Sequence, residues 1–212
     1  KKMFRLLQGD VGSGKTIVAL ISIANVLESN YQAALMAPTS VLAKQHFELA
    51  KKIFKDTNIK INLLTGKTNY KERNDILSEI KEGKTHFLIG THALFQKKID
   101  FKQLGIIVID EQHKFGVRQR MALAEKGGDN CDVLLMSATP IPRTMVLTIY
   151  GDMDVSRLIE KPKNRLPVLT YSKPEKKIKE IINFIKKNIE NNNQVFWVCP
   201  LIKESKILNY SS

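Results

Sequence analysis

Short runs of Ile, Val and Leu alternate along the chain with longer stretches in which apolar residues recur every three or four positions. The short runs predict strands at 5–8, 33–37, 61–65, 86–90, 105–110, 133–137 and 155–159. The longer stretches predict helices at 15–28, 40–54, 70–82, 117–125 and 143–150. Most of the runs are apolar nearly throughout, as strands covered by helices on both faces must be. The expected fold is therefore α/β, a doubly wound, mainly parallel sheet.

The alternation breaks at 160–167, where two prolines stand among several charges, and this stretch reads as a linker. Beyond it the pattern predicts a strand at 168–171, a helix at 175–190 and a strand at 194–199, then stops at Ser212 in an unfinished α/β unit. The expected organisation is a first domain at 1–159, a linker at 160–167 and the start of a second domain at 168–212. The helix at 175–190 aligns Ile178, Ile181, Ile182, Ile185 and Ile189 on one stripe, with lysines on the others, which predicts a buried isoleucine face under a solvated lysine face. At the other end, Lys1-Lys2-Met3-Phe4-Arg5 runs straight into an apolar stretch without an initiator Met, so the chain is expected to be an internal segment of a longer protein.

Composition narrows the class. With 43% hydrophobic and 26% charged residues, the chain can build a normal core, which excludes a disordered tail, a collagen-like fibre and a coiled coil. Its 34 Lys and Arg against 21 Asp and Glu give a formal charge of +13, which favours capture of a polyanion and makes nucleic acid the leading class of partner. Cys131 and Cys199 stand far apart without CxxC spacing, so neither a disulfide framework nor a zinc site is predicted, and a reducing, cytoplasmic setting fits. Every apolar run falls well short of the ~18 residues of a spanning helix, so no membrane partner is expected.

The sharpest chemical pattern is Gly9-Asp10-Val11-Gly12-Ser13-Gly14-Lys15-Thr16, which fits GxxxxGK[ST] between a predicted strand and a predicted helix. Its glycines let successive N–H groups turn inward around phosphates, Lys15 reaches the β and γ phosphates of ATP, and the Thr16 hydroxyl ligates Mg2+. A second metal contact is offered by Asp110-Glu111-Gln112-His113 after the apolar run at 106–109. Asp110 is placed to hold the metal through its water shell, Glu111 to orient or deprotonate the attacking water, and His113 to join the nucleotide to the next strand end. That strand ends in Ser137-Ala138-Thr139, whose hydroxyls suit a coupling role. Three further strand ends, at Pro38-Thr39, Thr65-Gly66-Lys67 and Thr91-His92, offer hydroxyls and helix-start N–H groups that together suggest a track for a nucleic-acid backbone.

In order and spacing, the loop at 9–16, Asp-Glu-Gln-His-Lys-Phe-Gly-Val at 110–117 and Ser-Ala-Thr-Pro-Ile-Pro-Arg-Thr at 137–144 resemble superfamily 2 helicases and, within them, the RecG family. Gly-Thr-His-Ala-Leu at 90–94 and Trp-Val-Cys-Pro-Leu-Ile at 197–202 extend the likeness over nearly the whole chain. Gln112 favours RecG over the related Mfd family, which typically carries Glu there, and His113 argues against DEAD-box RNA helicases, which carry Asp. The resemblance implies a RecA-like P-loop NTPase domain followed by the beginning of a second RecA-like domain. It adds Gln112 to the nucleotide contacts and His113 to the catalytic set, and assigns the DNA path to Pro38, Thr39, Gly66, Thr91 and His92. It further implies a monomeric motor that spends ATP on remodelling branched DNA, regressing stalled forks and moving Holliday junctions in repair and recombination. A junction-recognising wedge would precede Lys1, and an arginine completing the ATP site would follow Ser212, so the segment alone is expected to bind ATP and hydrolyse it weakly. Two alternatives stay open on the residues: an Mfd-like translocase on duplex DNA, and a nucleotide-dependent binding fragment without turnover.

Overall fold

A computed structural model describes residues 2–95, 99–111, 131–139, 153–160, 166 and 168–198. Gln112, His113, Cys199 and the helices expected at 117–125 and 143–150 lie outside the described residues. The chain divides into two compact units, Lys1–Arg165 and Leu166–Ser212.

In the first unit seven strands form one sheet: β1 (Phe4–Gly9), β2 (Gln32–Met36), β3 (Ile61–Leu64), β4 (Phe87–Gly90), β5 (Leu104–Ile109), β6 (Asp132–Ser137) and β7 (Asp154–Leu158). Their order is β3-β4-β2-β5-β6-β1-β7, and all six ladders are parallel. Each strand predicted in this unit is present within a residue or two. Helices α1 (Lys15–Glu28), α2 (Ser40–Ile53) and α3 (Tyr70–Glu82) make the crossovers at the expected positions.

Alternation along the strands explains why both faces are covered. Ala33, Leu35 and Ala37 point to one side, where Ala19, Leu20 and Ile23 of α1 and Ala43 and Ala50 of α2 close over them. Ala34 and Met36 point to the other, against Ile76 and Ile80 of α3. Burying each large aliphatic side chain contributes about 1.5–3 kcal/mol, which is what holds the crossovers to the sheet. One polar side chain belongs to this core. Gln32, fully inside, donates through Nε2 to the carbonyls of Ile80 (2.9 Å) and Thr85 (2.8 Å) and accepts from the Gln103 amide (3.0 Å). It satisfies carbonyls at the end of α3 and just before β4, and the Gln103 amide beside the β2–β5 register shift between Gln32 and Ala33.

The second unit contains a 3-10 turn at Glu175–Lys177 that runs into α4 (Ile178–Glu190). Here two expectations are corrected. The strands read at 168–171 and 194–199 are not formed over the described residues 168–171 and 194–198, which carry no regular structure. A strand exists only through ladder bonds to a neighbour, and apolar residues alone do not supply one. The isoleucine stripe of α4 forms on a helix as expected but is not buried: Ile178, Ile182 and Ile189 are 41%, 39% and 56% exposed, and no residue of the helix is buried. Among the described residues, no helix is long and apolar enough to cross a membrane.

Candidate functional site

The loop after β1 is built around two left-handed glycines, Gly12 (φ 81°) and Gly14 (φ 95°), a conformation that costs other L-residues roughly 1–2 kcal/mol. Gly9 is required for a different reason. A Cβ there would crowd Ser13 Oγ and lie 3.0 Å from Leu158 Cβ and 3.3 Å from the Leu158 carbonyl oxygen, so a side chain at this position would press the loop against β7. Gly14 leads directly into α1, whose first turn no side chain caps, whereas Thr39 caps α2 and Asn69 caps α3. The amides at the start of α1 are therefore left to an anion. Lys15 is buried and its ammonium donates to the carbonyls of Gly9 (2.6 Å) and Asp10 (2.9 Å), bonds it must exchange to meet a phosphate. Ser13 Oγ is buried without a hydrogen-bond partner among the described residues. Burying a hydroxyl unsatisfied costs about 1–3 kcal/mol, so the loop is shaped for a ligand acceptor.

Asp110 follows β5 on the same carboxyl edge of the sheet. Only β6 separates β5 from β1, so at a strand spacing of about 4.8 Å the two loops stand roughly 10 Å apart. The Asp110 amide donates to the Met36 carbonyl (2.8 Å), which fixes the residue as a continuation of the β2–β5 ladder. Its Oδ1 accepts from the Glu111 amide at 2.9 Å. Glu111 sits at φ 46°, in the left-handed region that a non-glycine residue occupies only at a cost, and such strain gathers at functional sites. The turn after β5 thereby takes the Glu111 backbone off the strand path.

Between the two loops, β6 ends in Ser137, level with Gln8 of β1 in the sheet. Ser137 Oγ donates to the Thr139 carbonyl (3.0 Å) and accepts from the Thr139 amide (3.2 Å), and the two hydroxyls are 3.1 Å apart. The Ser-Ala-Thr turn is thus preformed on the rim shared by the loop at 9–16 and Asp110.

The residues expected to line a DNA path share the same edge, at the ends of β2, β3 and β4. Thr39 accepts from the Leu42 amide at 3.2 Å, so its side chain starts α2. Thr65 closes its own turn, accepting from the Lys67 amide at 3.3 Å next to Gly66. Thr91 is buried with its Oγ1 unpartnered among the described residues, while the neighbouring His92 is exposed. Between α2 and β3 lies an open cleft of about 670 Å³, with Lys44, Lys67, Ser40 and Thr65 on its walls. Glu48, Val41 and Leu63 line the same cleft, so its walls carry both charge signs and apolar surface.

Among the described residues no three His, Cys, Asp or Glu side chains gather as a metal cage. Thr16, at the start of α1 after β1, and Asp110, after β5, lie on the same carboxyl edge of the sheet, with β6 and its Ser137 between them.

Sequence reasoning missed one residue here. His46 of α2 is buried, and its Nε2 lies 2.8 Å from Asp110 Oδ2. The hint was a histidine on the apolar face of a helix, between Ala43 and Ala50.

The chain is similar to proteins of known family. A family described as DEAD/DEAH box helicase matches residues 2–147. The chain is 47% identical over 207 residues to the ATP-dependent DNA helicase RecG of Streptococcus pneumoniae, covering 98% of this chain and 30% of that protein. It is 47% identical over 208 residues to the protein of the same name from Aquifex aeolicus, covering 98% of this chain and 26% of the relative. A structure of RecG bound to a three-way DNA junction superposes with a TM-score of 0.79 at 44% identity, over 95% of this chain and 27% of that one. The chain thus spans under a third of the length of these relatives.

Proposed function

The chain is a member of the DEAD/DEAH box helicase family, and from that premise we propose that it is the ATP-binding motor lobe, with the start of a second lobe, of a RecG-type DNA helicase. In this reading the whole protein hydrolyses ATP to remodel branched DNA, regressing stalled forks and moving Holliday junctions, as a monomer in the cytoplasm. The first lobe covers 1–159, a linker 160–167, and the second lobe begins at 168; the division into two compact units after Arg165 supports this.

The observation that carries the proposal is the shared rim: a phosphate loop, an acidic strand end and a Ser-Ala-Thr turn on three neighbouring strands, β1, β5 and β6, with β6 in the middle. The backbone amides at 9–14 and the start of α1 bind the phosphates of ATP, and Lys15 exchanges its two carbonyl bonds for the β and γ phosphates. Mg2+, held by Thr16 and by Asp110 through water, would neutralise charge on the phosphates and on the leaving group. Glu111 orients the attacking water and takes its proton. Gln112 contributes to nucleotide contact and His113 carries the state of the γ phosphate toward Ser137 and Thr139. Pro38, Thr39, Gly66, Thr91 and His92 follow the DNA backbone.

The test is ATP hydrolysis by the full-length parent protein in Mg2+, with forked DNA, linear duplex, single strand or RNA added in parallel. Strong stimulation by the fork and loss of turnover in Lys15→Ala are expected. Equal stimulation by linear duplex would replace branched-DNA remodelling with duplex translocation, and wild-type turnover in Lys15→Ala would remove the loop from the chemistry.

A further inference from the structure

The pairing of His46 with Asp110 has no counterpart in the motifs discussed so far. It joins α2 to the end of β5 across 64 residues of sequence, and the two side chains are only 10% and 12% exposed. A carboxylate oxygen only accepts hydrogen bonds, so the ring nitrogen facing Oδ2 is the donor. With Oδ1 held by the Glu111 amide, each oxygen of Asp110 has one partner among the described residues, and the plane of the carboxyl group is set from both sides. A carboxylate held in a fixed plane presents its remaining lone pairs in fixed directions, which favours a ligand shell of one orientation.

The other end of α2 matters as much. The helix starts at Thr39, on the edge assigned to the nucleic-acid backbone, and His46 follows seven residues later. At a rise of about 1.5 Å per residue, the separation is roughly 10 Å along one rigid element. The strand before it is tied to its neighbours by the bonds from the Ala37 amide to Gly90 (2.9 Å) and from the Asp110 amide to Met36 (2.8 Å). A shift of α2 at its Thr39 end therefore reaches the Asp110 carboxylate through His46 without passing through the Ser-Ala-Thr turn.

We propose that His46 is a positioning residue for ATP hydrolysis, orienting the metal-binding carboxylate of Asp110 and linking it, through α2, to the DNA-facing strand end. This rests on the functional reading above. The rationale is general: groups that hydrogen-bond to a ligating carboxylate typically contribute 10- to 100-fold to metal affinity or activity.

The experiment uses the full-length protein with His46→Leu, which fills the volume without a donor, and His46→Gln, whose Nε2 can reach the same oxygen. Thermal midpoints of both are measured first, so that a misfolded variant is recognised. Should His46→Leu fail to fold, His46→Met takes its place. Mn2+ binding in the presence of a non-hydrolysable ATP analogue is then followed by electron paramagnetic resonance, alongside kcat, KM for ATP at saturating metal, and the ratio of fork-stimulated to basal turnover. His46→Leu is expected to weaken Mn2+ binding at least tenfold and to lower the stimulation ratio at least threefold, with KM for ATP at saturating metal within twofold of wild type. His46→Gln should recover Mn2+ binding to within about threefold. Equal Mn2+ affinity in wild type, Leu and Gln proteins would overturn the positioning role, and an unchanged stimulation ratio in His46→Leu would overturn the link through α2. A wild-type protein that binds Mn2+ with the analogue but shows no DNA-stimulated hydrolysis would instead sink the functional reading, while the Leu-versus-Gln contrast in metal binding still decides the role of His46.

Discussion

Glu111 shows how much of a reaction can be written in one residue and still need the fold. The adjacent carboxylates of Asp110 and Glu111 are legible in sequence because they end an apolar run beside a phosphate-loop motif. The roles proposed for them were legible there too, but the left-handed backbone at Glu111 was not, because no residue preference announces it. Asp110 is buried and held at both oxygens, suited to a fixed ligand shell, whereas the half-buried Glu111 has left the strand path. In the full-length protein, Glu111→Gln should therefore keep ATP binding, followed with a fluorescent analogue, and lower kcat at least ~100-fold, the usual scale of general base catalysis. A kcat within a few-fold of wild type would take Glu111 out of the water-activating role. His46 illustrates the opposite limit of legibility: the helix around it is plain in sequence, but its partner lies on another strand, and a histidine on an apolar stripe looks like core.

At the scale of elements, helices α1 to α3 and the seven strands of the first unit were legible because each carries its own evidence, a period near 3.6 or a short apolar run. The two strands expected in the second unit were not realised for the converse reason. Strand character belongs to a pair of segments, and Val168, Leu169 and Tyr171 stay 79%, 72% and 78% exposed with no ladder formed. The same non-local dependence makes Gly90 critical. It ends β4 beside β3, where an added Cβ would lie 2.2 Å from the Leu64 carbonyl oxygen and 3.1 Å from Leu94 Cδ2. The oxygen is backbone within a paired strand and cannot rotate away. Gly90→Ala is thus expected to lose about 1–3 kcal/mol of stability, the range for forced overpacking, read as a lower urea midpoint with an unchanged slope. An unchanged midpoint would mean that β3 can move off β4 at little cost. Because Thr91 follows directly, the variant should also weaken DNA binding by the parent protein.

At the scale of the molecule, the proposed nucleotide site and the core share the central strands, and Cys131 offers a way to measure whether they are coupled. It immediately precedes β6, the strand between the phosphate loop and Asp110, and its side chain is fully buried with Leu6, Ile107, Ile109 and Val133. Burial pushes its thiol up to about 11. At pH 8 the folded protein therefore presents neither an accessible sulfur nor a thiolate, and only opening of the sheet exposes the thiol at its ordinary value. In a Cys199→Ser background, Cys131 should resist a thiol reagent at pH 8 for far longer than the unfolded chain in guanidinium, with a labelling rate that rises with pH. If opening breaks the site made by β1, β5 and β6, then MgATP at a hundred times its Kd should slow labelling by about 100-fold, because a ligand that binds only the closed form stabilises it by about 2.7 kcal/mol. Labelling that ignores MgATP, in a protein shown by titration to bind it, would mean that β6 opens while the phosphate loop and Asp110 stay in place, and that the site does not depend on the strand between them.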